Sequence, residues 1–145
     1  MIAYVTEAEN DLSTEFKKSN QVHRHRLTLR YAKWSTDCLW RSLQEADLVV
    51  IPQVMNDKTR NAKSSNRLVE SMWAGRFVVA NPIPSYQEFG DWAILDERIS
   101  DGLSLALTRQ ESLTKRIVEA QGHIETNYSI RAIGARWESA LNLVE

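Results

Sequence analysis

The chain of 145 residues carries 43% hydrophobic and 26% charged residues, the proportions of an ordinary globular domain with length enough for one core. A formal net charge of −1 argues against a general nucleic-acid binder, which needs a basic surplus. The single cysteine, Cys38, excludes an internal disulfide framework. It fits a reducing, cytoplasmic setting, as does the lack of an apolar run of membrane-spanning length or of a basic-then-apolar leader after Met1.

Taken in chain order, Met1 to Thr6 reads as a short buried strand, and Glu9 to Gln21 as a weakly amphipathic helix or a loop leading into one, with few apolar anchors. In the run from Arg26 to Ala32, Leu27, Leu29 and Tyr31 alternate with Thr28 and Arg30, the period of a strand. Leu39, Trp40 and Leu43 then recur at helical spacing behind Ser35, an N-cap residue type, with Asp37 placed to suit the helix dipole. The run Ala46 to Pro52 is continuously apolar from Leu48 and ended by Pro52, which is how a strand buried on both faces reads. Gln53 to Ser65 is polar and aperiodic, and a loop of that length in a compact domain is often functional.

A helix follows from Asn66 to Ala74, with Leu68, Val69, Met72 and Trp73 on one side and Gly75 as its C′ residue. Arg76 to Asn81 gives another buried strand, stopped by Pro82 and Pro84, and Trp92 to Leu95 a short last one. The remainder is helical, with apolar stripes running through Ile99 and Ala106, then Ile117 and Ile124, then Ile130, Ile133, Trp137 and Leu141. Ser129 is the expected N-cap of the last helix. Strands alternating with helices predict an α/β fold: one domain spanning residues 1–145, a Rossmann-like, doubly wound parallel sheet of about five strands flanked by helices, with a helical carboxyl-terminal tail.

Ligands of such sheets sit beyond the carboxyl ends of the strands. Two loops qualify, Gln53 to Ser65 and Asn81 to Glu88. At the end of the first, Ser64, Ser65 and Asn66 open a helix whose free N–H groups favour phosphate, and Lys63 and Arg67 add positive charge. Glu70 points away from the Leu68–Met72 stripe, so the core does not require it. Two readings fit it: a solvated carboxylate paired with Arg67 three residues earlier, or an acceptor for ribose hydroxyls. Tyr86, after two prolines, is either a half-exposed aromatic or a ring that stacks on a nucleobase. His23 and His25 lack companion ligands and read as solvated, and Cys38 as a small hydrophobe. The tryptophans fall mostly on apolar faces, and core packing is their expected role.

The combination of the Glu45–Gln53 strand, the Lys63–Phe89 segment and the tail from Tyr128 to Val144 resembles the carboxyl-terminal half of GT-B glycosyltransferases, over about Leu27 to Val144. The resemblance implies that Glu70 holds the ribose of a nucleotide-sugar donor, and that Lys63, Ser64, Ser65, Asn66 and Arg67 face its diphosphate. It also implies that Ser85 and Tyr86, in the segment after the next strand, line the donor cleft. The sequence departs from the family pattern in two places. Ala62 stands where many members carry a first glutamate, and no glycine-containing first strand and turn is present.

The implied protein is a donor-binding part of a hexosyltransferase-type enzyme lacking its amino-terminal acceptor half and inactive alone, with self-association expected through an exposed sheet edge. No cofactor or metal is called for, the donor being a nucleotide-diphosphate sugar, and no catalytic residue is assigned. The competing reading is a non-catalytic α/β interaction module without nucleotide binding.

Overall fold

A computed structural model describes residues 2–6, 29–53 and 62–142 of the chain. Its contacts group the chain into two compact units, Met1–Glu45 and Ala46–Glu145. The predicted helix over Glu9–Gln21, the two histidines and most of the Gln53–Ser65 loop lie outside the described residues.

In the first unit, strand β1 (Ile2–Thr6) pairs in parallel with β2 (Leu29–Lys33), Ile2 opposite Leu29 and Thr6 opposite Lys33. Helix α1 (Thr36–Glu45) begins as its sequence predicts, with the Ser35 Oγ accepting the Cys38 N–H at 3.1 Å and Asp37 in the first turn. Of the apolar positions on α1, Leu43 is buried whereas Trp40 is exposed.

The second unit is built around strand β4 (Phe77–Ala80), which pairs in parallel with β3 (Leu48–Ile51) on one side and β5 (Ile94–Leu95) on the other. All four β4 residues are buried, and their alternation divides the core. Val78 and Ala80 pack with Leu68 and Met72 of helix α2 (Asn66–Trp73), and with Tyr86 and Phe89 of the 3₁₀ helix Pro84–Phe89. Phe77 and Val79 point the other way, toward Ala106 and Ile99 of helix α3 (Ile99–Thr108). Helix α4 (Gln110–Tyr128) serves both faces: Leu113 and Ile117 belong to the second cluster, Ala120 and Ile124 to the first. Helices thus cover both sides of a parallel sheet, as parallel pairing requires. The fold is α/β, and the described residues contain five strands, grouped as a two-stranded and a three-stranded parallel sheet.

Two glycines are dictated by geometry. Gly75, with φ of +75°, ends α2 in a Schellman motif: its N–H reaches the Met72 carbonyl at 2.9 Å, and the Arg76 N–H reaches that of Ser71 at 3.0 Å. Gly102 lets α3 close onto the sheet, since a Cβ there would lie 2.9 Å from Val79 Cγ1 and 3.1 Å from Ile94 Cγ2.

Several expectations of burial are corrected. Strand β3 is not buried on both faces: Ile51 is buried, but Val50 is 40% exposed, because β3 pairs only with β4 among the described residues. Trp34, Trp40, Trp73 and Trp137 are exposed rather than packed in the core, while Trp92 is half-buried against it. Helix α5 (Ile130–Asn142) starts at Ser129 as predicted, its Oγ accepting the Ala132 N–H at 3.2 Å, yet it buries no residue at all. A helical period marks an apolar face but does not supply the surface that covers it. No helix among the described residues is long and apolar enough to cross a membrane.

Candidate functional site

The carboxyl ends of β3, β4 and β5 are laced together by one side chain. Asn81, directly after β4, is buried. Its Oδ1 accepts the Gln53 N–H at 2.7 Å, and its Nδ2 donates to the carbonyls of Asp96 at 3.0 Å and Glu97 at 2.9 Å. The loops leaving all three strands are therefore held at fixed separation. Sequence reasoning missed this residue. Its signal was an amide at the end of an otherwise apolar strand, next to a proline that supplies no donor of its own.

Gln53 carries the network outward. Its side-chain Oε1 accepts from Lys63 Nζ at 3.3 Å, and the Ser85 hydroxyl donates to the Lys63 carbonyl at 2.7 Å. Lys63 and Ser85, two residues predicted for the site, are thus tied to each other and to the strand ends. Lys63 and Arg67 are both exposed, one just before and one just inside the start of α2. Tyr86 lies beneath them: burial raises the pKa of its hydroxyl, and Gln53 and Arg67 partly pull it back.

At the start of α2 the Ser65 carbonyl accepts the N–H groups of Leu68 at 2.9 Å and Val69 at 3.0 Å, while its hydroxyl caps nothing. The N–H groups of Asn66 and Arg67 have no intrahelical partner at this position. The Ser65 hydroxyl instead meets Tyr128 at the end of α4, and the Tyr128 hydroxyl donates to Glu88 Oε1. Burial and the Glu88 carboxylate push the Tyr128 pKa up to about 12, against smaller opposing effects of Ser65 and Arg136. Ser64 and Asn66 are exposed beside this start.

Two placements differ from the expected ones. Tyr86 is 1% exposed and packs in the first core cluster, so neither face of its ring is open to a base. Its three-residue spacing from Ile83 and Phe89, all buried, was the sign that it faces inward. Glu70 is half-buried, and it and Arg67 form no ion pair among the described residues. Ala62, at the position of the family's first glutamate, is exposed. The described residues contain no group of three or more His, Cys, Asp or Glu side chains disposed to hold a metal.

Comparison with family models, with curated proteins and with solved structures finds no match to this chain. The chemistry of the site therefore has to be read from its own atoms. Two cations and two free helix N–H groups stand at the carboxyl end of a parallel sheet, on a backbone fixed by Asn81 and Ser85. Groups of these kinds can stabilise an anion.

Proposed function

We propose that the carboxyl end of β3 and β4 binds the diphosphate of a nucleotide sugar, and that the chain is the donor-binding half of a GT-B type glycosyltransferase. The observation that carries this reading is the anchoring of Lys63 by Gln53 at 3.3 Å and by Ser85 at 2.7 Å beside the opening of α2. It supports a preset anion site where α/β sheets take their ligands. In this reading Lys63, Arg67 and the N–H groups of Asn66 and Arg67 hold the diphosphate. Ser64 and Ser65 border it, and Glu70 accepts from the ribose hydroxyls.

Tyr86 acts from below, as a support for Gln53 and hence for Lys63. Charge that builds on the departing diphosphate during transfer would be stabilised by the same donors. The reading includes a single doubly wound sheet uniting the strands, and an acceptor-binding half without which the chain performs no transfer.

The second reading, a non-catalytic interaction module, draws on Glu88. Through the Tyr128 hydroxyl this carboxylate stands next to Ser65, on the approach to the same helix start, where it opposes an incoming anion.

Thermal-shift titration with UDP, GDP and ADP separates the two. A ligand at ~100 times its dissociation constant adds ~2.7 kcal/mol to the folded state. The donor reading expects a shift with one diphosphate that is lost in Lys63→Ala and reduced in Glu70→Ala. Flat curves with all three nucleotides overturn it.

A further inference from the structure

Helix α5 touches the rest of the second unit mainly through α4. It has 13 residues and none is buried. Its attachment is local, through the Ser129 cap and a hydrogen bond from Arg136 to Asn127 Oδ1 at 3.2 Å. Yet Ile130 is 92%, Trp137 66% and Leu141 64% exposed, with Ile133 between them on the same stripe. An isolated helix shorter than about 12–15 residues is marginal in water, so an apolar stripe of this kind is stable chiefly when it is covered.

We propose that two copies of this chain dock antiparallel through the α5 stripe, because that stripe is complementary to itself. Place a two-fold axis at Ala135, so that each residue n of one helix meets residue 270 − n of the other. Ile133 then packs against Trp137 of the second copy, and Ile130 against its Ala140. The open groove of about 290 Å³ lined by Ile133, Arg136, Trp137 and Ala140 is the seat for those side chains. Gly134, at the edge of the stripe beside the axis, lets the two backbones come close.

The charges agree with the same register. Arg131 and Glu138 are seven residues apart, on one flank of the stripe. Under the two-fold, Arg131 of each copy comes within one residue, or ~1.5 Å of axial rise, of being level with Glu138 of the other. Two ion pairs form, one at each end. In a parallel pairing in register the two Arg131–Glu138 flanks lie on opposite sides of the seam, so these ion pairs do not form. Arg136, on the opposite flank, is turned back onto Asn127 and so is kept from its own copy. The surface thus matches itself in one orientation, which is the requirement for a closed two-fold contact.

The test is sedimentation of the full chain over a concentration series, with far-UV circular dichroism and thermal unfolding to show that each variant keeps its fold. The parent is expected to pass from monomer to dimer in the micromolar range, with the transition moving to higher concentration as salt is raised. Trp137→Asp should move it at least tenfold higher. Arg131→Glu and Glu138→Arg should each weaken the dimer, and the double reversal should restore it. A parent that stays monomeric at 100 times the expected range, or forms a dimer indifferent to Trp137→Asp, overturns the proposal. Capture of α5 by a different protein, with no self-association, overturns it equally. A dimer that loses strength in both single reversals and is not restored in the double overturns the antiparallel register.

Discussion

Replacing Asn81 with Ala removes an amide that makes three hydrogen bonds in a position 3% exposed. The Gln53 N–H, 2.7 Å from Oδ1, loses its acceptor, and an orphaned buried donor costs about 1–3 kcal/mol. The two bonds to the Asp96 and Glu97 carbonyls contribute about 0.5–1.5 kcal/mol each. Because carbonyls left unpaired near the surface recover part of this from water, a loss of about 2–4 kcal/mol is expected, a large share of the 5–15 kcal/mol typical of a domain. Urea unfolding measures it: with a slope of about 2 kcal/mol per molar, the middle of the usual range, the midpoint should fall by roughly 1–2 M.

Asn81→Asp sharpens the test. It keeps an acceptor for Gln53 but turns a carboxylate oxygen toward two carbonyl oxygens, which raises the carboxyl pKa above its unfolded value of about 3.9. A raised folded pKa means that the stabilising form is the protonated one. Its contribution is complete below about pH 3.9 and is lost as pH rises through the folded pKa. Relative to the parent at each pH, Asn81→Asp should therefore be more damaged at pH 7 than at pH 4. An Asn81→Ala midpoint within about 0.5 kcal/mol of the parent would refute the lacing role, as would an aspartate variant whose deficit does not change with pH.

Gly102→Ala should lower the thermal midpoint. Overpacking against Val79 at 2.9 Å and Ile94 at 3.1 Å costs about 1–3 kcal/mol, which outweighs the ~1 kcal/mol gained in helix propensity. A higher midpoint would show that α3 does not need its close approach. For Tyr128, ultraviolet titration should reveal one tyrosine ionising near pH 12, returning toward the ordinary value of 10.0 in Glu88→Gln. The raised pKa makes the protonated hydroxyl the stabilising form, so the parent should lose stability relative to Tyr128→Phe as pH rises from about 10 through about 12. Equal pH profiles of the two proteins would contradict the burial and the Glu88 contact that raise this pKa.

The elements with local causes were legible in the sequence. Ser35 and Ser129 accept from the N–H three residues on, and Gly75 takes the left-handed conformation that only a few residues tolerate, because capping is decided within one turn of chain. The strands Leu48–Ile51 and Phe77–Ala80 and the turn to Ile94–Leu95 follow from apolar runs punctuated by proline and glycine.

What escaped prediction depends on neighbours distant in sequence. Val50 and Val79 belong to similar apolar runs, yet among the described residues β3 pairs on one side and β4 on both. Trp137 sits on a periodic stripe just as a core residue would, and nothing on its own helix says whether a second surface lies over it. At the site, the end-of-strand rule brought Lys63 and Ser85 to the same place. The bridging by Asn81 joins loops 28 residues apart, which no local pattern encodes, whereas the inward turn of Tyr86 had its local sign in the spacing from Ile83 and Phe89.

Helix α4, like strand β4, ties the two halves of the second unit's interior together. The helix rests Leu113 and Ile117 on one core cluster and Ala120 and Ile124 on the other, so a single rigid rod is seated in both halves of the interior. Fraying that starts at either end must lift side chains from one cluster before it reaches the turn anchored in the other. The helix acts as a tie-rod, and the two halves of the interior share one cooperative unfolding step, so that neither side of the sheet can open as an independent subdomain while the other stays closed.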